Sequence, residues 1–228
     1  MQEILHYITT WWNNTFNFNN AEAIYLSITN IIIFIFSFLL LYRSLYTFIG
    51  FFMKAKKYKE APMQRRYACV ISARNEEKVI GNLIKSIQKQ TYPSELVKIF
   101  VVADNCTDKT AEICRDLGAI VYERFDNEHI SKGYALEFLF NNIERDYSIL
   151  SNDYYFVFDA DNLLKRDFIE QMNNAFFEGY DAVTSFRNIK NFDTNIISAG
   201  YGIHFYRKAL VANRAPSRLK FSTNVTGT

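Results

Sequence analysis

"YYFVFDADNLLKRD", residues 154 to 167, sets five large apolar side chains in a row and then places Asp159 and Asp161 one residue apart. An apolar run without alternation suits a parallel strand covered on both faces. Two carboxylates at the end of such a buried strand repel each other and resist desolvation. A bound cation relieves both problems. Mg²⁺ or Mn²⁺ suits the spacing, because a hard cation takes oxygen ligands from one or two carboxylates and the rest from substrate phosphates.

The same kind of apolar run recurs upstream, alternating with helical periods. "YACVIS" (67 to 72), "VKIFVVA" (97 to 103) and "AIVYER" (119 to 124) are expected as strands. Val79, Ile80, Leu83, Ile84 and Ile87 form a helical stripe between the first two, closed by Tyr92-Pro93. A helix over about 109 to 117 stops at Gly118, and Ala135, Leu136, Phe138 and Leu139 mark another after Gly133. Beyond the opening strand come a helix around 165 to 177, a fifth strand at "DAVTSFR" (181 to 187) and a helical stretch from about Ile196. The alternation predicts an α/β doubly wound, mostly parallel sheet.

In such a sheet ligands bind outside the carboxyl ends of the strands. Polar residues follow three of those ends: "ARNEE" (73 to 77), "DNCTD" (104 to 108) and "DADN" (159 to 162). Each has a bland reading alone. Asn75 or Glu76 begins a helix favourably, Asp108 suits an N-cap, and Asp161-Asn162 suits a turn. Three such clusters on one sheet edge favour a site.

The remaining chemistry is narrowed by what is missing. There is no G-x-G-x-x-G or Walker A segment, and no G-x-S-x-G elbow. His6, His129 and His204 lack metal-ligand spacing. Cys69, Cys106 and Cys114 form neither a disulfide framework nor a zinc pattern. A net charge of +2 without an Arg-rich aromatic stripe argues against a nucleic-acid partner.

The N-terminal fifth of the chain differs in kind. "AIYLSITNIIIFIFSFLLLY" (23 to 42) carries no charge, and about 20 such residues span a bilayer core. A core helix apolar on every face needs a larger domain around it, and a signal peptide starts nearer the N-terminus and has a shorter apolar core. Residues 1 to 20 contain no Lys or Arg, whereas Arg43, Lys54, Lys56, Lys57, Lys59, Arg65 and Arg66 follow the apolar run. The positive-inside rule therefore predicts a single-pass cell-membrane protein with a cytoplasmic C-terminal part. Trp11 and Trp12 suit the outer interface. The expected division is an extracytoplasmic segment (1–20), a transmembrane helix (21–53), a basic juxtamembrane linker (54–66) and the α/β domain (67–228). The linker reads equally as headgroup-associated or simply solvated.

The segments "VISARNEEKVIGNLIKSI", "VVADNCTDKTAEICRDLGAIVYER", "SKGYALEFLF" and "FVFDADNLL" resemble, in this order, the family 2 glycosyltransferases of GT-A fold. They are most similar to the membrane-bound processive group around cellulose, chitin-oligosaccharide and hyaluronan synthases. The resemblance covers about residues 67 to 228 and implies roles. Ala73, Asn75 and Glu76 match the first nucleotide-binding segment, with Glu76 near the ribose or uracil. Asp104 matches the aspartate that reads the uracil edge, and Lys132 with Gly133 matches the lysine-glycine segment beside the nucleotide. Asp159 and Asp161 match the D-x-D pair that holds the metal and the sugar nucleotide.

The resemblance thus implies a UDP-sugar donor, Mg²⁺ or Mn²⁺, a carbohydrate or lipid-linked acceptor, and inverting transfer. Its E-D general base and Q-x-x-R-W segment do not occur up to Thr228, so no catalytic residue is assigned and the chain is expected to be inactive by itself. A non-catalytic sugar-nucleotide module and a lipid-directed transferase adding one sugar remain as alternatives.

Overall fold

In the computed structural model residues 2–15, 21–52, 54, 56–189, 192–214 and 217 are described. The chain begins with helices α1 (Gln2–Thr15) and α2 (Ala21–Phe52). Then follow β1 (Tyr67–Ala73), α3 (Ile80–Gln88), β2 (Val97–Asp104), α4 (Thr110–Asp116) and β3 (Ile120–Arg124). Next come α5 (Lys132–Tyr147), β4 (Tyr154–Asp159), α6 (Phe168–Phe177) and α7 (Ile196–Arg207). Residues 57–184 form one compact unit; the described residues up to Lys56 and those from Ser185 to 217 form another.

In the first of these units the four strands make one sheet in the order β3-β2-β1-β4, every neighbouring pair parallel. Alternate residues of a strand face opposite sides, and both sides are covered. Cys69, Ile71 and Val101 pack with Ile80, Leu83 and Ile84 of α3 and Ile169 of α6 on one face. Ala68, Val70, Phe100 and Val102 pack with Ala135, Leu139 and Ile143 of α5 on the other. This two-sided burial explains the unbroken apolar runs of the strands. The expected doubly wound α/β architecture is therefore present.

Two features differ from expectation. Residues 181–187 form no strand, although their composition suits one. A strand needs a ladder partner for its backbone groups, and among the described residues no ladder pairs this segment with β4 or another strand. The second concerns the segment expected as a linker, which is tied to the α/β unit from Ala61 onward. The Ala61 N–H donates to Asn174 Oδ1 (2.9 Å), and the Arg66 N–H donates to Asp153 Oδ2 (2.7 Å). Between them the Tyr92 hydroxyl accepts from the Arg65 N–H and donates to the Arg65 carbonyl.

In the other unit, α2 is 32 residues long. Its stretch Ala23–Leu41, 19 residues with 6% buried, is long and apolar enough to cross a membrane. Helix α7 starts at Asn195, whose side chain accepts from the Ser198 N–H (2.8 Å).

Candidate active site

Strand order reverses between β1 and β4, since β2 leaves β1 on one side and β4 joins it on the other. Crevices open at such switch points, outside the carboxyl ends of the strands. A cleft of roughly 360 Å³ lies there, lined by Ser72 near the end of β1 with Arg74 and Glu76 after it, Asp104 at the end of β2, Ser131 and Lys132 at the start of α5, and Asp159 at the end of β4 with Ala160 and Asp161 after it. The ladders set these neighbours: Ser72 pairs with Asp159, and Asp104 pairs with Arg124.

A larger groove of roughly 660 Å³ follows β4 from Asp153 to Phe156, lined also by Phe176 and Val183. It runs beside the early part of β4 and gathers no loops from the strands' carboxyl ends. The smaller cleft is the candidate site.

The loops around the cleft are stapled together. Asn75 and Asn105 both take left-handed backbone conformations (φ 54° and 50°), which asparagine tolerates better than most residues. Asn75 Oδ1 accepts from the Thr107 N–H at 2.8 Å. The Asn105 amide makes paired bonds to the backbone of Asp126, donating at 2.8 Å and accepting at 2.9 Å. The Glu76 N–H donates to Thr110 Oγ1 at 2.8 Å, and Thr110 Oγ1 donates in turn to Asp108. Loops after β1, β2 and β3 are thus one hydrogen-bonded rim.

The N-cap of α4 is Lys109, not Asp108 as expected; Asp108 lies one residue earlier, where it accepts from the Thr110 N–H at 3.0 Å and from the Glu77 N–H at 3.2 Å. Burial pushes its carboxyl up, but the hydrogen bonds from Thr110 and Glu77 outweigh that and hold it below the usual value. Cys106, in the same rim, has its thiol pushed up by burial and makes a weak contact to the Ala73 carbonyl at 3.5 Å. It is a neutral packing thiol, unsuited to nucleophilic work.

Asp104 is 5% exposed and is held by two guanidinium groups. Arg124 Nη1 donates to its Oδ1 at 2.7 Å, and Arg74 Nη2 lies 3.4 Å from Oδ2. Arg124 is itself 7% exposed and reaches Asp126 Oδ2 (2.7 Å) and the His129 carbonyl (2.9 Å). A buried ion pair of this kind fixes the carboxylate's direction as well as its charge.

Across the cleft Lys132 Nζ is ion-paired to Asp159 Oδ1. Lys132 opens α5, whose N-cap Ser131 accepts from the Tyr134 N–H at 3.4 Å. The amino end of a 16-residue helix therefore borders the cleft, carrying positive partial charge that favours phosphate.

Five of the residues expected from sequence meet in the cleft: Glu76, Asp104, Lys132, Asp159 and Asp161. Three do not line it. Ala73 is buried at 2% exposure, Asn75 has its side chain engaged with Thr107, and Gly133 follows Lys132 in the helix. A Cβ at Gly133 would meet only Ser131 Oγ, at an ordinary 3.5 Å, so packing does not demand glycine there. Arg74, Ser131 and Arg124 were not expected. Arg74 sits inside the quoted "ARNEE" and Ser131 just before "KG", whereas nothing local marks Arg124.

The donor set suits a cation that arrives with its ligand. Among the described residues no group of three or more His, Cys, Asp or Glu side chains is placed to hold a metal ion. Asp159 and Asp161 supply two carboxylates on one cleft wall, which fits Mg²⁺ or Mn²⁺ completing its shell from phosphate and water.

The family model described as glycosyltransferase-like family 2 matches residues 64–225, most of the chain. The chain belongs to this family. A 4,4'-diaponeurosporenoate glycosyltransferase from Staphylococcus haemolyticus (strain JCSC1435) is 37% identical over 83 residues, 35% of this chain and 21% of that protein. Its counterpart from Staphylococcus aureus (strain USA300) is 45% identical over 58 residues, 25% of this chain and 15% of that protein. The matched part thus spans about a fifth or less of these curated relatives. Among solved structures, the mannosyltransferase from Pyrobaculum calidifontis in complex with GDP-Man and Mn2+ aligns with a TM-score of 0.48 at 19% identity, covering 68% of this family 2 chain and 45% of that one.

Proposed function

We propose that this chain forms the donor side of a membrane-associated glycosyltransferase, holding a UDP-sugar with Mg²⁺ or Mn²⁺ for inverting transfer to a carbohydrate or lipid-linked acceptor. The observation that carries this reading is the meeting of Asp104, Lys132, Asp159 and Asp161 in one cleft at the switch point of a family 2 domain.

Asp159 and Asp161 hold the divalent cation, which when bound neutralises the diphosphate leaving group as a Lewis acid. Lys132 and the amino end of α5 attract the phosphate oxygens. Asp104 accepts a hydrogen bond from the uracil edge. Each carboxylate oxygen has more than one acceptor site, so its bond to Arg124 leaves capacity for the base. Glu76 stands on the rim near the ribose or uracil, with Ala73, Asn75 and Gly133 shaping the backbone beneath. The stapled loops spare the site an ordering cost when the donor arrives. The general base is not assigned to any residue of this chain, and the acceptor of the staphylococcal relatives is not carried over from so short a match.

Anchoring rests on α2 and on the basic residues that follow it, which favour a cytoplasmic α/β unit. Titration calorimetry of the detergent-solubilised protein with UDP tests the donor reading. Binding with Mn²⁺ or Mg²⁺ should be much tighter than in EDTA; equal affinity in both would refute the assignment of the carboxylates.

A further inference from the structure

Helix α1 has a sharply divided surface. At 3.6 residues per turn, Ile4, Leu5, Ile8, Trp11 and Trp12 fall within an arc of about 120°, a full apolar stripe. Gln2, Glu3, His6, Thr9, Thr10 and Asn13 take the other side. Every one of the five apolar residues is more than half exposed, from 53% at Trp11 to 66% at Ile4. On the polar side, the Thr10 hydroxyl turns back onto the His6 carbonyl at 2.8 Å, so part of that face satisfies itself.

The end of α1 is moored to α2. The Thr15 carbonyl, at the last residue of α1, accepts from Asn30 Nδ2 at 3.1 Å and from Ser27 Oγ at 3.5 Å. Ser27 and Asn30 lie within the apolar stretch Ala23–Leu41. Counted from Ala23, they sit about 6 and 10 Å along the helix axis. Interfacial amphipathic helices bury their apolar face about 5–10 Å into the boundary between headgroups and acyl chains.

We propose that α1 lies in the plane of the membrane interface, its apolar arc sunk among the upper acyl chains and its carboxyl end moored to α2 by Ser27 and Asn30. The occupant of the arc is lipid because α1 is moored within a span that is itself apolar and exposed. It carries no charged side chain and presents two tryptophans, whose amphipathic rings favour the headgroup level. Since residues 1 to 20 contain no Lys or Arg, attachment is apolar and does not depend on anionic lipid.

The protein contains two tryptophans, both in α1, so their emission reports this helix alone. The full chain is reconstituted in vesicles of phosphatidylcholine and phosphatidylglycerol carrying spin-labelled phosphatidylcholine. Emission should be blue-shifted from that of tryptophan in water. A label at carbon five of the acyl chain should quench about twofold more strongly than one at carbon twelve, as an interfacial depth requires. Leaving out the phosphatidylglycerol should change neither result. Quenching strongest from carbon twelve would place α1 deep in the bilayer. No quenching from either position would leave the arc to water, a protein partner or a second copy. Either outcome overturns the proposal. The variant Leu5→Ser/Ile8→Ser should still co-float with vesicles through α2 yet lose the carbon-five quenching. Retention of wild-type quenching by that variant would show that the arc is not what holds the helix, and would equally overturn it.

Discussion

Removing Arg124 should cost the α/β unit far more stability than its surface neighbours would suggest, and removing its partner as well should restore much of the loss. Arg124→Met leaves the Asp104 carboxylate 5% exposed with Arg74 3.4 Å and Asn105 Nδ2 3.5 Å away. Breaking a buried ion pair from one side costs about 3–5 kcal/mol, and the residual Arg74 contact reduces this to about 2–4 kcal/mol. Asp104→Leu with Arg124→Met removes both charges, and an apolar replacement of a buried pair is often close to neutral. The double variant should therefore recover about 2 kcal/mol relative to the single one. Urea denaturation is followed by near-ultraviolet circular dichroism, to which the packed ring cluster around Tyr67, Tyr92 and Tyr154 contributes the signal of this unit. If the losses of the two single variants simply add in the double, the charges are not coupled and the positioning of Asp104 by Arg124 is wrong.

Three more outcomes follow from the same geometry. Lys132→Ala frees Asp159 of its ion pair, so Mn²⁺ alone should bind at least as tightly as to wild type, while UDP with Mn²⁺ weakens about tenfold or more; calorimetry separates the two. Asp108 has a carboxyl held below 3.8, so its stabilising bonds are complete above that value and are lost as pH falls through the lower folded-state value. Asp108→Asn should accordingly flatten the stability loss below about pH 4, measured by the same dichroism. Leu139→Ala, at 0% exposure on α5, should cost about 2–5 kcal/mol in the urea experiment without changing the metal dependence of UDP binding.

The sheet was legible because both of its faces are covered. Val70 and Ile71 are both fully buried, one on each side, and such runs admit little but parallel strands between helices. Three strand ends with polar residues were enough to place the cleft, and Asp159 and Asp161 lie where the D-x-D spacing suggested. Arg124 was invisible for a physical reason. It lies 20 residues beyond Asp104 and reaches it only because the β2–β3 ladder pairs the two positions. Residues 181–187 looked like a strand because composition reports side-chain preference, while strand formation depends on a partner edge that composition does not contain. Helix α1 was passed over for the opposite reason. Its period was present in Ile4, Leu5, Ile8, Trp11 and Trp12, but within residues 1 to 20 only the missing Lys and Arg and the two tryptophans pointed to a membrane.

The most direct test of the donor site is a crystal of the protein grown with UDP and Mn²⁺, measured at a wavelength where manganese scatters anomalously. A single anomalous peak in the cleft is expected, about 2.0–2.2 Å from a carboxylate oxygen of Asp159 or Asp161 and from diphosphate oxygens, with the uracil edge on Asp104. Manganese bound elsewhere, or UDP seated in the cleft with its diphosphate away from both aspartates, would contradict the account.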